Sequence, residues 1–168
     1  KAVKMPGAPF KMTETPHTIL RCAPGLGEHT AKLNAELLGY TSHGSGRPRA
    51  QTENGNHTLP LQGIRVLEPA AAYAAPHAGK LMALLGAEVI KIESLVRPCN
   101  LRGVGRGPRP GSDPTRQYWN ESGSHNDTNL GKLNITLDFR SEEGKQAFKE
   151  LVSISDVVLE NFTPRVMK

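Results

Sequence analysis

The stretch that most constrains the fold runs from Leu59 to Glu93, LPLQGIRVLEPAAAYAAPHAGKLMALLGAEVIKIE. Ile64, Val66 and Leu67 form a short apolar run rich in β-branched residues, bounded by Gly63 and Pro69, as suits a buried strand. Ala78, Leu81, Met82, Leu84 and Leu85 then recur at helical spacing after Pro76. A proline fits the first turn of a helix, where its missing N–H has no partner to lose. Gly86 stands where a left-handed residue ends a helix, and Val89, Ile90 and Ile92 supply a second strand. Strand, helix and strand in this order predict two parallel strands. In open sheets of this kind ligands gather at the carboxyl ends of strands, here Glu68–Pro76 and Glu93 onward.

A chain of 168 residues with 37% hydrophobic residues suits one domain with its own core. Two cysteines, Cys22 and Cys99, form neither a disulfide framework nor a metal-ligand spacing, which favours a reducing, cytoplasmic setting. The most apolar stretch, Ala70–Ile92, is interrupted by Pro76, His77, Lys80 and Glu88 and is not expected to span a membrane. The net charge of +5 favours an anionic partner, and a phosphate-bearing cofactor serves as well as nucleic acid.

Downstream, Ser94–Ser124 is dense in Gly, Pro and Arg, with Arg97, Arg102, Arg106, Arg109 and Arg116 outnumbering Asp113. GVGRG (Gly103–Gly107) does not join a strand to a helix and so lacks the context of a phosphate loop; a loop that folds over a ligand is expected, with Tyr118 and Trp119 anchoring its far end. Leu133–Phe139 alternates as a strand. Ser141 is a good N-cap, followed by Glu142 and Glu143 where the helix dipole favours negative charge. Ala147, Phe148, Leu151 and Val152 are expected to face the core, Val157, Val158 and Leu159 to form a buried strand, and Pro164 to open a further helix.

Upstream, Pro6–Pro24 is proline-rich and irregular. Glu28–Leu38 reads as a short amphipathic helix with Leu33, Leu37 and Leu38 on one side, stopped by Gly39. Ser42–Thr58 is polar and without periodicity, which reads as a flexible linker. Alone, this region is an extended arm with a docking helix.

GIRVLE, AAP, LLGAEVIKIE, NLGKLNITLDFRSEEGKQAFKELV and SDVVLENFTP, in that order, resemble the amino-terminal part of the class III CoA-transferases, a family that includes formyl-CoA and carnitine-CoA transferases and α-methylacyl-CoA racemases. The resemblance covers Leu59–Lys168. Ala23, Pro24, Leu26, Gly27, Glu28, His29 and Thr30 are similar to the carboxyl-terminal end of the same enzymes. The resemblance therefore implies a slice of a tandem fusion: residues 1–41 the tail of one unit, 42–58 a linker, and 59–168 the α/β, Rossmann-like CoA-binding part of a second. A circular permutation would give the same local order. Because family members form interlocked homodimers, the tail is expected to dock on the first unit's head and to make few contacts with Leu59–Lys168, leaving an interlocked dimer or an intramolecular pseudo-dimer in the parent.

The implied activity is transfer of CoA between carboxylic acids through an acyl-enzyme intermediate, with CoA or acyl-CoA and a carboxylic acid as partners, and neither metal, nucleic acid nor membrane. Racemisation of an acyl-CoA, or a non-catalytic unit that completes a fold or interface, are the alternatives. The family's CoA contacts fall on Tyr73, Ala74, Ser94, Leu137, Asp138, Phe139, Arg140, Asn161, Phe162 and Thr163. Arg140 could pair with a phosphate and Phe162 could stack on adenine; residue type alone equally allows a solvated arginine, a core phenylalanine and a turn-forming Asn161. The family's nucleophilic aspartate would lie several dozen residues beyond Lys168, and Asp113, Asp127, Asp138 and Asp156 do not sit in its motif, so no catalytic residue is assigned. His77 and His125 read as loop or helix-surface histidines and His29 as a packing or hydrogen-bonding residue. The sequence departs from the family pattern at Glu68 for aspartate, Ala75 for glycine, Ser94 for a basic residue and Arg165 for glycine.

Overall fold

A computed structural model describes residues 7–41, 59–103 and 117–166. Four short parallel strands form one open sheet: β1 (Arg65–Glu68), β2 (Glu88–Glu93), β3 (Leu133–Thr136) and β4 (Val157–Val158), in the order β3-β2-β1-β4. The helices are α1 (Thr30–Thr41), α2 (Ala74–Leu84), α3 (Gly123–Thr128) and α4 (Glu142–Ser153), with single 3-10 turns at Asn100–Arg102 and Tyr118–Asn120.

The expected βαβ unit is present. β1 and β2 pair in parallel with Val66 opposite Val89 and Leu67 opposite Ile90. Between them, α2 carries Pro76 in its first turn and ends at Gly86, whose φ of 99° is the left-handed value a side chain resists. There the Gly86 N–H bonds Ala83 O and the Ala87 N–H bonds Met82 O, consuming carbonyls the helix leaves unpaired. A Cβ at Gly86 would also press on Leu59.

Alternation along the strands builds a core on each face of the sheet. Val66 and Val89 meet Ala83 and Ala87 on the α2 side. Leu67, Ile90, Ile92, Leu133 and Ile135 meet Leu151 of α4 and Leu33 of α1 on the other. The fold is thus an open, all-parallel α/β sheet with helices on both faces.

Several expectations change. The arm does not stand apart from the head. Leu33 is 2% exposed within the main core, and the arm's backbone bonds the head from the Thr18 N–H to Leu84 O, from the Gly131 N–H to Arg21 O and from the His29 N–H to Asn134 O. Leu33 and the turn amides of the arm find their seat along β3. α1 begins at Thr30 and runs through Gly39 to Thr41 rather than stopping at the glycine; one glycine costs a helix only about 1 kcal/mol. β3 ends at Thr136, after which Asp138–Arg140 turns into α4. β4 is an edge strand with Val157 and Val158 37% and 41% exposed, and Val152 also faces outward. Ser141 caps α4 as expected, its Oγ accepting the Gly144 N–H at 3.0 Å. Pro164–Val166 forms a turn. The proposed linker 42–58, GVGRG beyond Gly103, and Arg106, Arg109, Asp113 and Arg116 lie outside the described residues.

Candidate functional site

β1, β2 and β4 all end at one rim, where a cavity of about 750 Å³ opens. Its floor comes from Pro69–Ala71 after β1 and from Ile92, Glu93 and Ser94 at the end of β2. Pro98, Cys99 and Asn100 form one wall, Phe139 and Phe148 another, and Phe162 and Val166 beyond β4 a third. Phe139 and Phe148 meet edge to face with centroids 5.3 Å apart, a favourable arrangement for aromatic quadrupoles. Arg97 and Lys145, both exposed, bring positive charge to this largely apolar space. Such a site suits a ligand with an apolar body and an anionic end.

Two buried ion-pair groups hold the floor. Glu68, fully buried, accepts from Lys91 at 3.2 Å and from Lys132 at 2.7 Å. Lys91 also bonds Ala70 O, and Lys132 bonds Pro76 O and Asn129 Oδ1. Lys91 thus ties the loop after β1 to β2, and Lys132 ties the first turn of α2 to the end of β1. Burial pushes the Lys132 pKa down to about 8, the Glu68 charge offsetting part of that. The Glu68 side chain also fills the space beside Gly79 of α2.

Glu93 receives Arg102 through Nε at 2.9 Å and Nη2 at 2.6 Å, the Cys99 N–H at 2.9 Å and the Asn134 amide at 2.6 Å. Burial pushes its pKa up, but the Arg102 hydrogen bonds and charge outweigh this and hold it at about 2. A carboxylate so engaged fixes structure and has no proton to exchange near neutrality.

Of the sequence-predicted residues, Ser94, Phe139 and Phe162 line the cavity. Asn161 fastens the loop after β1, its amide donating to Ala71 O at 2.8 Å and its Oδ1 accepting the Ala71 N–H at 3.2 Å. Tyr73 is 53% exposed and Ala74 begins α2, both at the head of that loop's far end. Leu137 packs on the core. Arg140 closes on Asp138, Nη2 to Oδ2 at 2.7 Å and Nε to Oδ1 at 2.9 Å, and these bonds hold the Asp138 carboxyl at about 2. Thr163 is exposed. Pro69 and Cys99 fall in the strand-end stretches expected to meet a ligand, whereas Lys145, Phe148 and Val166 were missed by sequence reasoning. Lys145 and Phe148 were accessible to it, since residues three apart share a helix face.

The histidines divide. His77 is exposed on α2 as expected. His29 accepts the Asn134 N–H on Nδ1 at 3.3 Å, in line with a hydrogen-bonding role. His125, expected on the surface, is fully buried. Its Nδ1 accepts from Asn129 at 3.1 Å, so Nε2 carries the proton and faces Pro24 O at 3.4 Å. Burial, then the Arg102 charge, lowers its pKa to about 4. The reason for the error is the arm, which covers it.

The fold and a strand-end cavity of this kind define an α/β ligand-binding unit, and comparison with known proteins specifies it. Residues 61–168 match the model of CoA-transferase family III. The succinyl-CoA–L-malate CoA-transferase alpha subunit of Chloroflexus aurantiacus is 32% identical over 127 residues, 72% of this chain and 26% of that protein. The succinate–glutarate CoA-transferase of Agrobacterium fabrum is 36% identical over 114 residues, 66% of this chain and 27% of that protein. The crystal structure of a CAIB/BAIF family protein from Brucella suis superposes with a TM-score of 0.53 at 35% identity, over 66% of this chain and 28% of that one. The chain belongs to CoA-transferase family III. It spans about a quarter of the length of these relatives.

Among the described residues, no helix is long and apolar enough to cross a membrane.

Proposed function

We propose that this chain supplies the CoA-binding part of a CoA-transferase that moves CoA between an acyl-CoA and a carboxylic acid in the cytoplasm. The observation that carries this reading is the cavity at the ends of β1, β2 and β4, where Ser94, Phe139 and Phe162 converge beside Arg97 and Lys145. Phe162 offers a face for adenine, and Asn161 holds the Ala71 backbone in place. Tyr73, Ala74, Leu137, Asp138 and Thr163 flank the same rim on this reading. Arg140 holds Asp138 through Nε and Nη2, and its exposed guanidinium has further N–H donors for a phosphate, which the Asp138 charge competes with.

Catalysis is assigned elsewhere in the parent. Among the described residues lining the cavity Glu93 is the one carboxylate, and Arg102, Cys99 and Asn134 fully engage it. Nucleophilic catalysis needs a free, positioned carboxylate. In the parent this unit would be one head of the family's interlocked dimer, or of its pseudo-dimer if two units lie in one chain.

Calorimetric titration of the chain with CoA tests the reading. Binding is expected, weakening on the order of tenfold in Phe162→Ala and in Arg140→Ala, while Asp138→Asn, which frees the guanidinium, should tighten it. No turnover should exceed the buffer rate. Unchanged affinity in both Phe162→Ala and Arg140→Ala would remove CoA from this cavity.

A further inference from the structure

The arm and the cavity wall share one hydrogen-bonded ring. Glu93 Oε1 accepts the Cys99 N–H, which fixes the wall segment Pro98–Asn100. Glu93 Oε2 accepts the Asn134 amide at 2.6 Å, and Asn134 Oδ1 accepts the Gly27 N–H of the arm at 2.6 Å. A second path runs through Arg102, whose Nη1 donates to Asn120 Oδ1 at 2.6 Å. That same oxygen accepts the Leu26 N–H at 3.1 Å. Two consecutive arm amides therefore reach two asparagines, and the asparagines reach the two halves of one buried ion pair. The arm turn is shaped for this: Gly27 has φ 71°, and Thr30 and Thr136 crowd the place of its missing Cβ. Leu26 and Gly27 themselves are not among the residues lining the cavity.

The geometry points to a positioning role for the arm: Leu26–Gly27, acting through Asn120 and Asn134, holds the Glu93–Arg102 pair and with it the Cys99 wall, so that arm docking and ligand binding reinforce each other. Without the arm, the buried Asn134 oxygen and the half-buried Asn120 oxygen each lose a donor and water reaches the ion pair, which loosens the bond to Cys99. Linkage makes the effect reciprocal, since a ligand that favours the ordered wall must favour the docked arm equally. The binding half of this inference rests on the cavity taking CoA.

Amide hydrogen exchange of the 168-residue chain, with and without CoA and with calorimetry on the same samples, tests it. At saturating CoA the Leu26 and Gly27 amides should slow by at least about threefold, although neither lines the cavity, while the Ile64 amide, bonded to Leu61 O, serves as the reference. Binding without any change at Leu26 and Gly27 overturns the coupling. Asn134→Ala should weaken CoA several-fold and abolish the protection at Gly27 with Ile64 unaltered; unchanged affinity also overturns it. If calorimetry shows no CoA binding, the site reading fails and the arm is judged without ligand. Asn134→Ala should then speed Cys99 exchange relative to Ile64, and an unaltered Cys99 rate overturns the positioning role.

Discussion

His125 and Glu93 set how this protein answers acid. His125 has its pKa lowered from 6.5 to about 4 in the fold. As pH falls through 6.5 the unfolded chain takes up a proton that the fold refuses, so stability declines until about pH 4 and then levels. The loss is about 3 kcal/mol at about 1.4 kcal/mol per unit. His29, also lowered, mainly by burial, adds to the same stage. Glu93 is held at about 2 against 4.5 unfolded. Its contribution is complete above pH 4.5 and is lost as pH falls toward 2, again about 3 kcal/mol. Urea midpoints measured from pH 7.5 to 3 should therefore fall in two overlapping stages. His125→Gln should flatten the upper stage more than the lower, and a midpoint level from 6.5 to 4.5 would contradict the burial of a neutral imidazole. None of this was legible residue by residue: His125 owes its low value first to burial and then to the Arg102 charge, and at Glu93 the Arg102 hydrogen bonds and charge outweigh burial.

Two glycines separate local propensity from packing at the scale of elements. Gly144 lies in the first turn of α4, where alanine would favour the helix by about 1 kcal/mol. A Cβ there, however, collides with the Asp138 backbone carbonyl, which cannot move without the turn that carries Phe139 and Arg140. Gly144→Ala should therefore destabilise by about 1–3 kcal/mol despite its propensity. Gly123 of α3 has open space around it, so Gly123→Ala should stabilise by up to about 1 kcal/mol. Thermal melts of the two variants should shift in opposite directions; a shared direction would mean that propensity, or the unfolded state, decides both. Strand and helix identities were largely legible at this scale, because period and punctuation are local. Burial was less so. Val157 and Val158 read as a core strand from composition, yet position at the sheet's edge leaves them exposed.

At the scale of the whole molecule, the arm is part of the head's core. Leu33 joins Leu67, Ile90 and Leu151 in one cluster and is 2% exposed. Leu33→Ala should cost about 2–5 kcal/mol, as for a buried leucine left with a cavity, and should lower the melting temperature of the head and arm in one transition. An arm that melted separately, with the head's transition unmoved, would restore the picture of a tail that touches the head only incidentally.

The sequence by itself determined the βαβ unit, its parallel strands, the Ser141 cap, the Gly86 stop and the rim at the carboxyl ends of β1 and β2. Each rests on backbone geometry or apolar period within a few residues. Only the tertiary structure decided which polar groups are buried, and against what. Glu68 lies between Lys91 and Lys132, Asn134 between Gly27 and Glu93, and His125 beneath Pro24. The bond from Gly27 to Asn134 spans 107 residues. A polar side chain is stable inside only when its partner arrives there too, and that arrival depends on how distant segments pack, which no local pattern records.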